Sequence, residues 1–322
     1  MINKVQVNKV ANLTGHRDCV YTLEQATEFN RFYSAAGDGM VVAWNLDDPE
    51  NGELIARVEA SVYALRLMPD RNLLLIGHNM SGLQVIDLAQ KTVLKALPLR
   101  PVPVFDIAYY PEQKYIYAGL GDGSLFQIDS ETFSVKTVKK HSTKSLRCLA
   151  LNTKHNELAA GYSDNFIRIF DADTLELKQE FEAHSNSVFT LAYTPNRRYL
   201  LSGSRDAHLK AWDAEKQYRE HASVIAHMYT INHLTFSPDG RYLATCSMDK
   251  SIKVWDAVSL RLLKVIDKVR HAGHGTSVNK LFWSAHNNQL VSCSDDRSIT
   301  VWDLKFSLDY EDNTVRNQTK NL

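Results

Sequence analysis

Residues 183–214 read AHSNSVFTLAYTPNRRYLLSGSRDAHLKAWDA and contain three predicted strands separated by tight turns. The run VFTLAY is mostly apolar, which is typical of a strand that is buried on both faces. In TPNRR, Pro195 and Asn196 favour chain reversal before the second strand, YLLSG. The run HLKAW alternates polar and apolar residues, as a half-buried strand does, and a more polar fourth strand follows. Four antiparallel strands in roughly 40 residues predict one blade of a β-propeller.

The same pattern recurs along the chain at a spacing near 42 residues. The position of the turn aspartate holds Asp38, Met80, Asp122, Asp164, Asp206, Asp249 and Asp296. The spacings between them are 42, 42, 42, 42, 43 and 47 residues. A large apolar residue follows six positions after each: Trp44, Ile86, Ile128, Phe170, Trp212, Trp255 and Trp302. Seven copies predict an all-β fold, a single seven-bladed propeller of four-stranded antiparallel blades.

The two ends of the chain have different predicted roles. Residues 5–13 precede the first blade, so we expect them to complete the last blade beside residues 298–304 and close the ring. The propeller is therefore predicted to span residues 1–306. Residues 307–322 are polar without an apolar pattern, which predicts a flexible tail.

Composition narrows the classes of partner. The 322 residues include 37 Lys and Arg and 37 Asp and Glu, so the formal net charge is zero. This balance argues against bulk electrostatic binding to nucleic acid or to an anionic membrane. The chain begins without an apolar run long enough for a signal peptide, and no stretch is long enough to span a membrane. The four cysteines form no Cys-x-x-Cys pair, so we expect buried reduced thiols in a cytoplasmic protein.

Two further motifs occur in register with the repeat. Gly-His pairs precede first strands at 15–16 and 273–274, and Trp-Asp pairs end third strands at 212–213, 255–256 and 302–303. Four histidines lie 22 residues before a turn aspartate, and His141 lies 23 residues before Asp164. With these motifs the chain resembles the WD-repeat β-propeller family over nearly its whole length.

The resemblance implies a buried hydrogen-bonded tetrad of His, Ser or Thr, Asp and Trp in four blades. The matching residues are His16, Ser34, Asp38 and Trp44 in blade one; His184, Ser202, Asp206 and Trp212 in blade five; His227, Thr245, Asp249 and Trp255 in blade six; and His274, Ser292, Asp296 and Trp302 in blade seven. A buried indole N–H needs an acceptor, the hydroxyl can accept it and donate onward, and the carboxylate can hold the imidazole tautomer.

Ser, His and Asp together also resemble a catalytic triad. Four near-copies around a ring favour a structural role, and no Gly-x-Ser-x-Gly elbow stands between a strand and a helix. Neither His-x-His nor His-Glu-x-x-His occurs. We therefore predict no catalytic residues, no metal site and no cofactor.

The repeat departs from this pattern in blades two to four. Blade two has Met80 in the aspartate position, and blades three and four have Ala118 and Ala160 in the hydroxyl position. Apolar packing is expected to hold these blades, and the departure reflects either sequence drift or a surface shaped for a partner. The seventh repeat has four extra residues near 268–272, which are either a binding decoration or a tolerated insertion.

The predicted function is a non-enzymatic protein–protein interaction scaffold or adaptor. The alternative is a selective reader of a peptide or modified tail at the mouth of the central channel, and a propeller enzyme is the weaker third reading. Arg, Met and Tyr are enriched at protein interfaces. The candidate partner-binding residues on the rim are Arg17, Arg205, Met228, Tyr229, Met248 and Arg270.

Overall fold

The structure, a computed structural model, describes residues 3–80 and 82–308. Its strands, in chain order, are β1 (Asn3–Leu13), β2 (Val20–Gln25), β3 (Arg31–Ala36), β4 (Met40–Asn45), β5 (Asp48–Arg57), β6 (Val62–Met68), β7 (Leu73–His78), β8 (Gly82–Asp87), β9 (Thr92–Pro98), β10 (Val104–Tyr110), β11 (Tyr115–Leu120), β12 (Ser124–Asp129), β13 (Val135–Lys140), β14 (Leu146–Asn152), β15 (Glu157–Tyr162), β16 (Phe166–Asp171), β17 (Leu177–Glu182), β18 (Val188–Tyr193), β19 (Tyr199–Ser204), β20 (His208–Asp213), β21 (Arg219–Ile225), β22 (Ile231–Phe236), β23 (Tyr242–Ser247), β24 (Ile252–Asp256), β25 (Leu262–Ile266), β26 (Val278–Trp283), β27 (Gln289–Ser294) and β28 (Ile299–Leu308). One turn of α-helix, α1, spans Lys268–His271, and two 3-10 turns span Ala214–Lys216 and His286–Asn288.

The strands form seven four-stranded antiparallel sheets arranged as blades in a ring. Blades one to six take successive groups of four strands, from β2–β5 in blade one to β22–β25 in blade six. Blade seven has the order β26, β27, β28 and β1. The first strand of each blade contacts the first strand of the next, and β26 returns to β2. The predicted seven-bladed propeller is therefore confirmed.

The N-terminal strand closes the ring, as the sequence predicts. β1 pairs antiparallel with β28 from Asn3↔Leu308 to Leu13↔Ile299, with one bulge between Lys9 and Ala11. β28 ends at Leu308, two residues beyond the predicted boundary at 306. The predicted flexible tail otherwise lies outside the described residues.

The hydrophobic core lies between neighbouring blades. Between blades four and five, Ile167 and Ile169 of β16 share one cluster with Leu200 of β19 and Trp212 of β20. The second and third strands bury side chains on both faces because each blade is packed between two others. The innermost strands differ, because some side chains of each of these strands face the central channel. Phe189 in β18 is half-buried, so the prediction that this strand is buried on both faces is wrong.

Antiparallel order places equivalent loops on one side of the ring. The loops that precede the first strands and the turns between second and third strands share one rim, which we call the tetrad-side rim. In each described copy, the residue after the turn position has positive φ, as Gly39 (74°) and Ala207 (67°) show. A Cβ on Gly39 would overlap the carbonyl oxygen of Val58, so glycine is required there. The four extra residues of the seventh repeat form α1 on this rim, with Asp267 capping its N-terminus.

All four cysteines are free thiols. Cys148, Cys246 and Cys293 are buried, as expected. Cys19 is partly exposed on the tetrad-side rim, which corrects the expectation that every cysteine is buried.

Candidate functional site

The structure brings together the four residues of each predicted tetrad. In blade one, the Trp44 indole N–H donates to Ser34 Oγ at 2.7 Å, and Ser34 Oγ lies 2.8 Å from His16 Nε2. His16 Nδ1 lies 3.2 Å from Asp38 Oδ2. An indole can only donate and a carboxylate can only accept, so the His16 Nδ1–H donates to Asp38 and Nε2 accepts the hydroxyl proton.

The same chain of contacts recurs in blades five, six and seven. The Trp-to-hydroxyl distances there are 2.8, 2.9 and 2.9 Å. The hydroxyl-to-His distances are 2.7, 2.8 and 2.9 Å, and the His-to-Asp distances are 3.0, 2.9 and 3.0 Å. Each network joins the third strand of a blade to the loop before its first strand.

The hydroxyls of these networks are inaccessible. Ser202 is fully buried, and its oxygen accepts from an indole while it donates to His184. A nucleophilic serine needs an open approach for its substrate. The Ser-His-Asp geometry therefore favours a structural role here over nucleophilic catalysis.

Blades three and four use cations in place of the tetrad. In blade four, Arg168 Nη1 lies 2.9 Å from Asp164 Oδ2, and its Nε lies 3.1 Å from Glu180 Oε2. The rings of His141 and Phe170 pack together with their centroids 5.2 Å apart. Among the described residues, His141 makes no hydrogen bond to Asp164. The expectation that apolar packing alone holds this blade is wrong, because it overlooked the arginine four residues after the aspartate.

In blade three, Lys140 Nζ lies 3.2 Å from Asp122 Oδ2 and Arg100 Nη1 lies 3.6 Å from it. In blade two, Met80 is exposed at the vacant aspartate position, and its backbone N–H points to His78 Nδ1 at 3.4 Å. Each of the three blades therefore replaces the tetrad in its own way.

Three of the candidate rim residues surround one turn of blade six. Asp249 Oδ2 accepts the backbone N–H of Met228 at 3.1 Å, and the backbone N–H of Met248 donates to Thr230 O at 3.0 Å. Met228, Tyr229 and Met248 are 80%, 59% and 57% exposed. We call these three residues the blade-six patch.

The other three candidate rim residues lie elsewhere. Arg17 is exposed in blade one, two blades away around the ring, with its backbone N–H bound to Asp38 Oδ2 at 2.7 Å. Arg205 is exposed on blade five. Arg270 lies on α1 and forms an ion pair with Asp267 at 2.6 Å, so its charge is already compensated.

A second cluster on this side of the ring was not predicted. The second residues of the first five innermost strands are Tyr21, Tyr63, Phe105, Arg147 and Phe189. Tyr21 and Tyr63 have ring centroids 4.9 Å apart, and Tyr63 and Phe105 have theirs 5.7 Å apart. Arg147 Cζ lies 4.3 Å from the Phe105 centroid and 5.1 Å from that of Phe189. We call these five residues the channel arc.

The channel arc lines the central cavity, which has a volume of about 570 Å³. Its members are spaced by 42 residues, so the sequence repeat is sufficient to identify them as equivalent positions. The turn aspartates occupy a different position of the repeat, so the predicted rim residues do not include the residues that face the channel.

A family model for the WD domain, G-beta repeat, matches residues 133–171, 175–213, 219–256 and 266–303. The chain belongs to the WD-repeat β-propeller family. The WD-repeat segment at 175–213 runs from the outer strand β17 of blade four through β20 of blade five. The sequence repeat of this WD-repeat protein is therefore offset by one strand from the structural blade. The same offset explains why β1, at the start of the chain, completes blade seven.

Six titratable tetrad residues of this WD-repeat chain have shifted pKa values. Burial would raise the pKa of Asp206, but the hydrogen bonds donated by His184 and by the backbone N–H groups of His208 and Ser185 outweigh it and hold the pKa well below its usual range. The pKa values of Asp249 and Asp296 are lowered in the same way.

Burial lowers the pKa of His16, His184 and His227, and this effect exceeds the opposing pull of each aspartate. These imidazoles are therefore neutral at pH 7, which agrees with the hydrogen-bond directions of the networks.

We expect the thermal midpoint to fall as the pH decreases from about 7 to about 5. In the unfolded chain histidine titrates near pH ~6.5, whereas buried His184 and His227 resist protonation in the folded state. The unfolded state therefore binds more protons, and the stabilisation present above pH ~6.5 is lost below it. The three aspartates with lowered pKa add a second loss below about pH 4. Circular dichroism melts between about pH 2 and 8 measure both steps, and a midpoint that stays constant or rises from pH 7 to 5 contradicts this account.

Among residues 3–80 and 82–308, no group of three or more His, Cys, Asp or Glu is arranged to hold a metal ion. Within the same ranges, no helix has the length and apolar character needed to cross a membrane.

Proposed function

We propose that this protein is a non-enzymatic interaction scaffold that binds partner proteins on its tetrad-side rim, in the cytoplasm. WD-repeat propellers generally mediate protein interactions, and the fold presents many loops on one rigid frame. The four buried networks hold that frame and leave the rim side chains free for recognition. The balanced net charge supports proteins or peptides, rather than nucleic acid or membrane, as partners.

The observation that carries this proposal is the blade-six patch. Two methionines and a tyrosine lie more than half exposed around Asp249, whose carboxylate fixes the backbone of the turn. Methionine adapts its shape to a partner, and tyrosine adds a large contact area at a small cost in conformational entropy. Val269 of α1 and Ile225 at the end of β21 are also exposed on this rim. Exposed apolar side chains therefore occur on this rim from blade five to the loop before blade seven.

Placing charges on the blade-six patch is expected to abolish partner binding. The double variant Met228→Asp and Met248→Asp should weaken the complex by about 2 kcal/mol or more, roughly thirtyfold, because buried interface anchors contribute energies of this size. Partners are captured from a lysate of the source organism, identified by mass spectrometry, produced recombinantly and titrated against each variant by calorimetry.

The matched control is Val258→Asp. Val258 is 89% exposed in the turn after β24, on the opposite rim. This substitution places one negative charge on the opposite rim at a position of similar exposure, so it should leave the affinity unchanged. Equal affinity for wild type and the patch variant would move the docking site to another face.

A second candidate function is the reading of a peptide at the channel mouth. The channel arc supports it, because aromatic rings and a cation at the opening of a cavity are groups that recognise side chains. A propeller enzyme finds less support, since the serine of each His-Ser-Asp network is enclosed.

A further inference from the structure

Arg147 is the cation of the channel arc, and most of its donors are unused. Its Nε donates to Ser163 Oγ at 2.9 Å, while Phe105 and Phe189 cover the faces of the guanidinium. Among the described residues, no carboxylate lies within ion-pair distance of it. The four N–H groups on the two terminal nitrogens therefore remain available in the plane of the group.

Two other arginines of the strands, Arg66 in β6 and Arg168 in β16, are paired. Arg66 Nη1 lies 3.5 Å from Glu24 Oε1, and Arg168 binds both Asp164 and Glu180. A half-buried charge normally has a partner because its removal from water is costly. Arg147 departs from this pattern, and burial lowers the pKa of its guanidinium with no carboxylate to offset the effect.

A second cation strengthens the positive charge at this side of the mouth. Arg205 of blade five is exposed and lies close enough to Arg147 to contribute to the lowering of its pKa. The side chain of Arg205 has no hydrogen-bond or ion-pair partner in the part of the chain that the structure describes. Two neighbouring arginines without anions form an unbalanced positive site.

The opposite side of the mouth is acidic. Asp18 accepts the backbone N–H of Cys19 at 2.7 Å, and Asp295 accepts from Asn279 Nδ2 at 2.7 Å. Neither carboxylate has a cationic partner among the described residues. Both lie near Tyr21, where burial, Cys19, Tyr63 and the two carboxylates together raise the pKa of the phenol to about 12.

We propose that the channel mouth binds a peptide through one acidic side chain, whose carboxylate pairs with the free edge of Arg147. The planar fork of arginine matches a carboxylate, and stacking between two phenylalanines holds the fork in one orientation. Tyr63 and Phe105 contact the apolar part of the same peptide. This inference rests on the interaction function proposed above and specifies the ligand chemistry of its channel-mouth site.

The charge distribution favours a peptide over a nucleic acid. Single-stranded nucleic acids also use aromatic stacking and arginine, but they carry a negative charge at every nucleotide. Asp18 and Asp295 would repel such a strand as it crossed the mouth. A peptide can instead place one acidic residue beside Arg147 and a neutral or basic residue near the aspartates.

Capped hexapeptides provide the probe. An array of acetylated and amidated hexapeptides with one fixed residue at each position, probed with the purified full chain, should show enrichment of Glu and Asp at one position. The best binder is then labelled with fluorescein for anisotropy titrations. Its acidic residue is replaced in turn by Gln, Lys and phosphoserine, and a labelled hexauridylate is titrated in parallel.

The titrations use wild type and three variants. We expect the Glu peptide to bind at least about tenfold more tightly than its Gln counterpart, since a charge-assisted hydrogen bond is lost. In Arg147→Gln the Glu and Gln peptides should bind equally. Arg147→Lys should recover only part of the preference, because lysine lacks the planar fork. The matched control Arg241→Gln removes an exposed arginine from the turn before β23 on the opposite rim and should keep the full preference.

Several results would overturn the proposal. They are an array without acidic enrichment, equal binding of the Glu and Gln peptides to wild type, and a preference for Glu that persists in Arg147→Gln. Tighter, Arg147-dependent binding of the phosphoserine peptide would assign the site to phosphate instead, and tighter binding of hexauridylate would assign it to nucleic acid. Circular dichroism melts establish that each variant is folded. A partner that depends on the blade-six patch but shows no acidic preference would leave the scaffold function standing while this inference fails.

Discussion

Removal of residues 1–14 should destabilise the whole propeller. The truncation deletes β1, which pairs with β28 over most of its length and buries Val5 and Leu13. β28 would then become an exposed edge in a chain that otherwise forms a closed ring. Each lost backbone hydrogen bond contributes about 1 kcal/mol, so we expect the free energy of unfolding to fall by about 5 kcal/mol or more. That loss is comparable to the whole stability of many folded proteins.

A circular permutant tests whether the loss of stability comes from the missing strand. It keeps the β1 sequence but attaches it after β28, at the other end of the chain. Asn3 pairs with Leu308, so a short hairpin turn can join Leu308 directly to Asn3 and return the strand to its place. The permutant begins at Thr14 and should recover most of the stability. Urea unfolding of wild type, truncation and permutant compares the three free energies. A truncated chain that keeps the wild-type transition would show that β1 does not hold the ring closed.

The fold was predictable because its determinants repeat. A spacing near 42 residues marks the turn that follows each second strand, and the residue after that turn must adopt positive φ in each described copy. The His-to-Asp offset of 22 residues was readable because both residues belong to the same rim of one blade. Local turn chemistry and blade packing therefore specify the same register.

The candidate sites were only partly predictable. Exposure of Met228 and Met248 follows from their place beside a turn, and both are among the predicted rim residues. Arg168 was missed because its role depends on two acids from different segments, Asp164 in the turn before β16 and Glu180 on the paired strand β17. Arg147 was missed because its environment comes from three blades, and the absence of a carboxylate near it becomes visible only when all neighbours are placed.

The blades also differ in how they hold their loops. Blades one, five, six and seven use networks that run from an indole to a carboxylate, whereas blade three uses partly exposed ion pairs and blade four uses a buried arginine. Surface ion pairs contribute little and are screened by salt. Added salt should therefore weaken the polar contacts of blade three more than those of the four tetrad blades.

The second large effect is expected from Thr245→Val in blade six. Thr245 Oγ1 is buried, accepts the Trp255 indole N–H at 2.9 Å and lies 2.8 Å from His227 Nε2. Valine has nearly the same shape, so the substitution removes the hydroxyl without opening a cavity. Two buried nitrogens then lose their partners, and each costs about 1–3 kcal/mol. We expect the free energy of unfolding to decrease by about 2–4 kcal/mol, measured by urea unfolding at pH 7.

The chain supplies a matched control in Thr22→Val. Thr22 is also fully buried in a strand, but its Oγ1 has no hydrogen-bond partner among the described residues. Removing that hydroxyl should be neutral or slightly stabilising, because no bond is lost and a buried polar atom disappears. If both substitutions cost the same, the poor fit of the added valine methyl would explain the effect, and the tetrad would contribute nothing specific. A large cost for Thr245→Val alone assigns the stability to the hydrogen-bonded network, whose geometry suggests a catalytic triad but whose effect is to fix Trp255 and the loop carrying Met228.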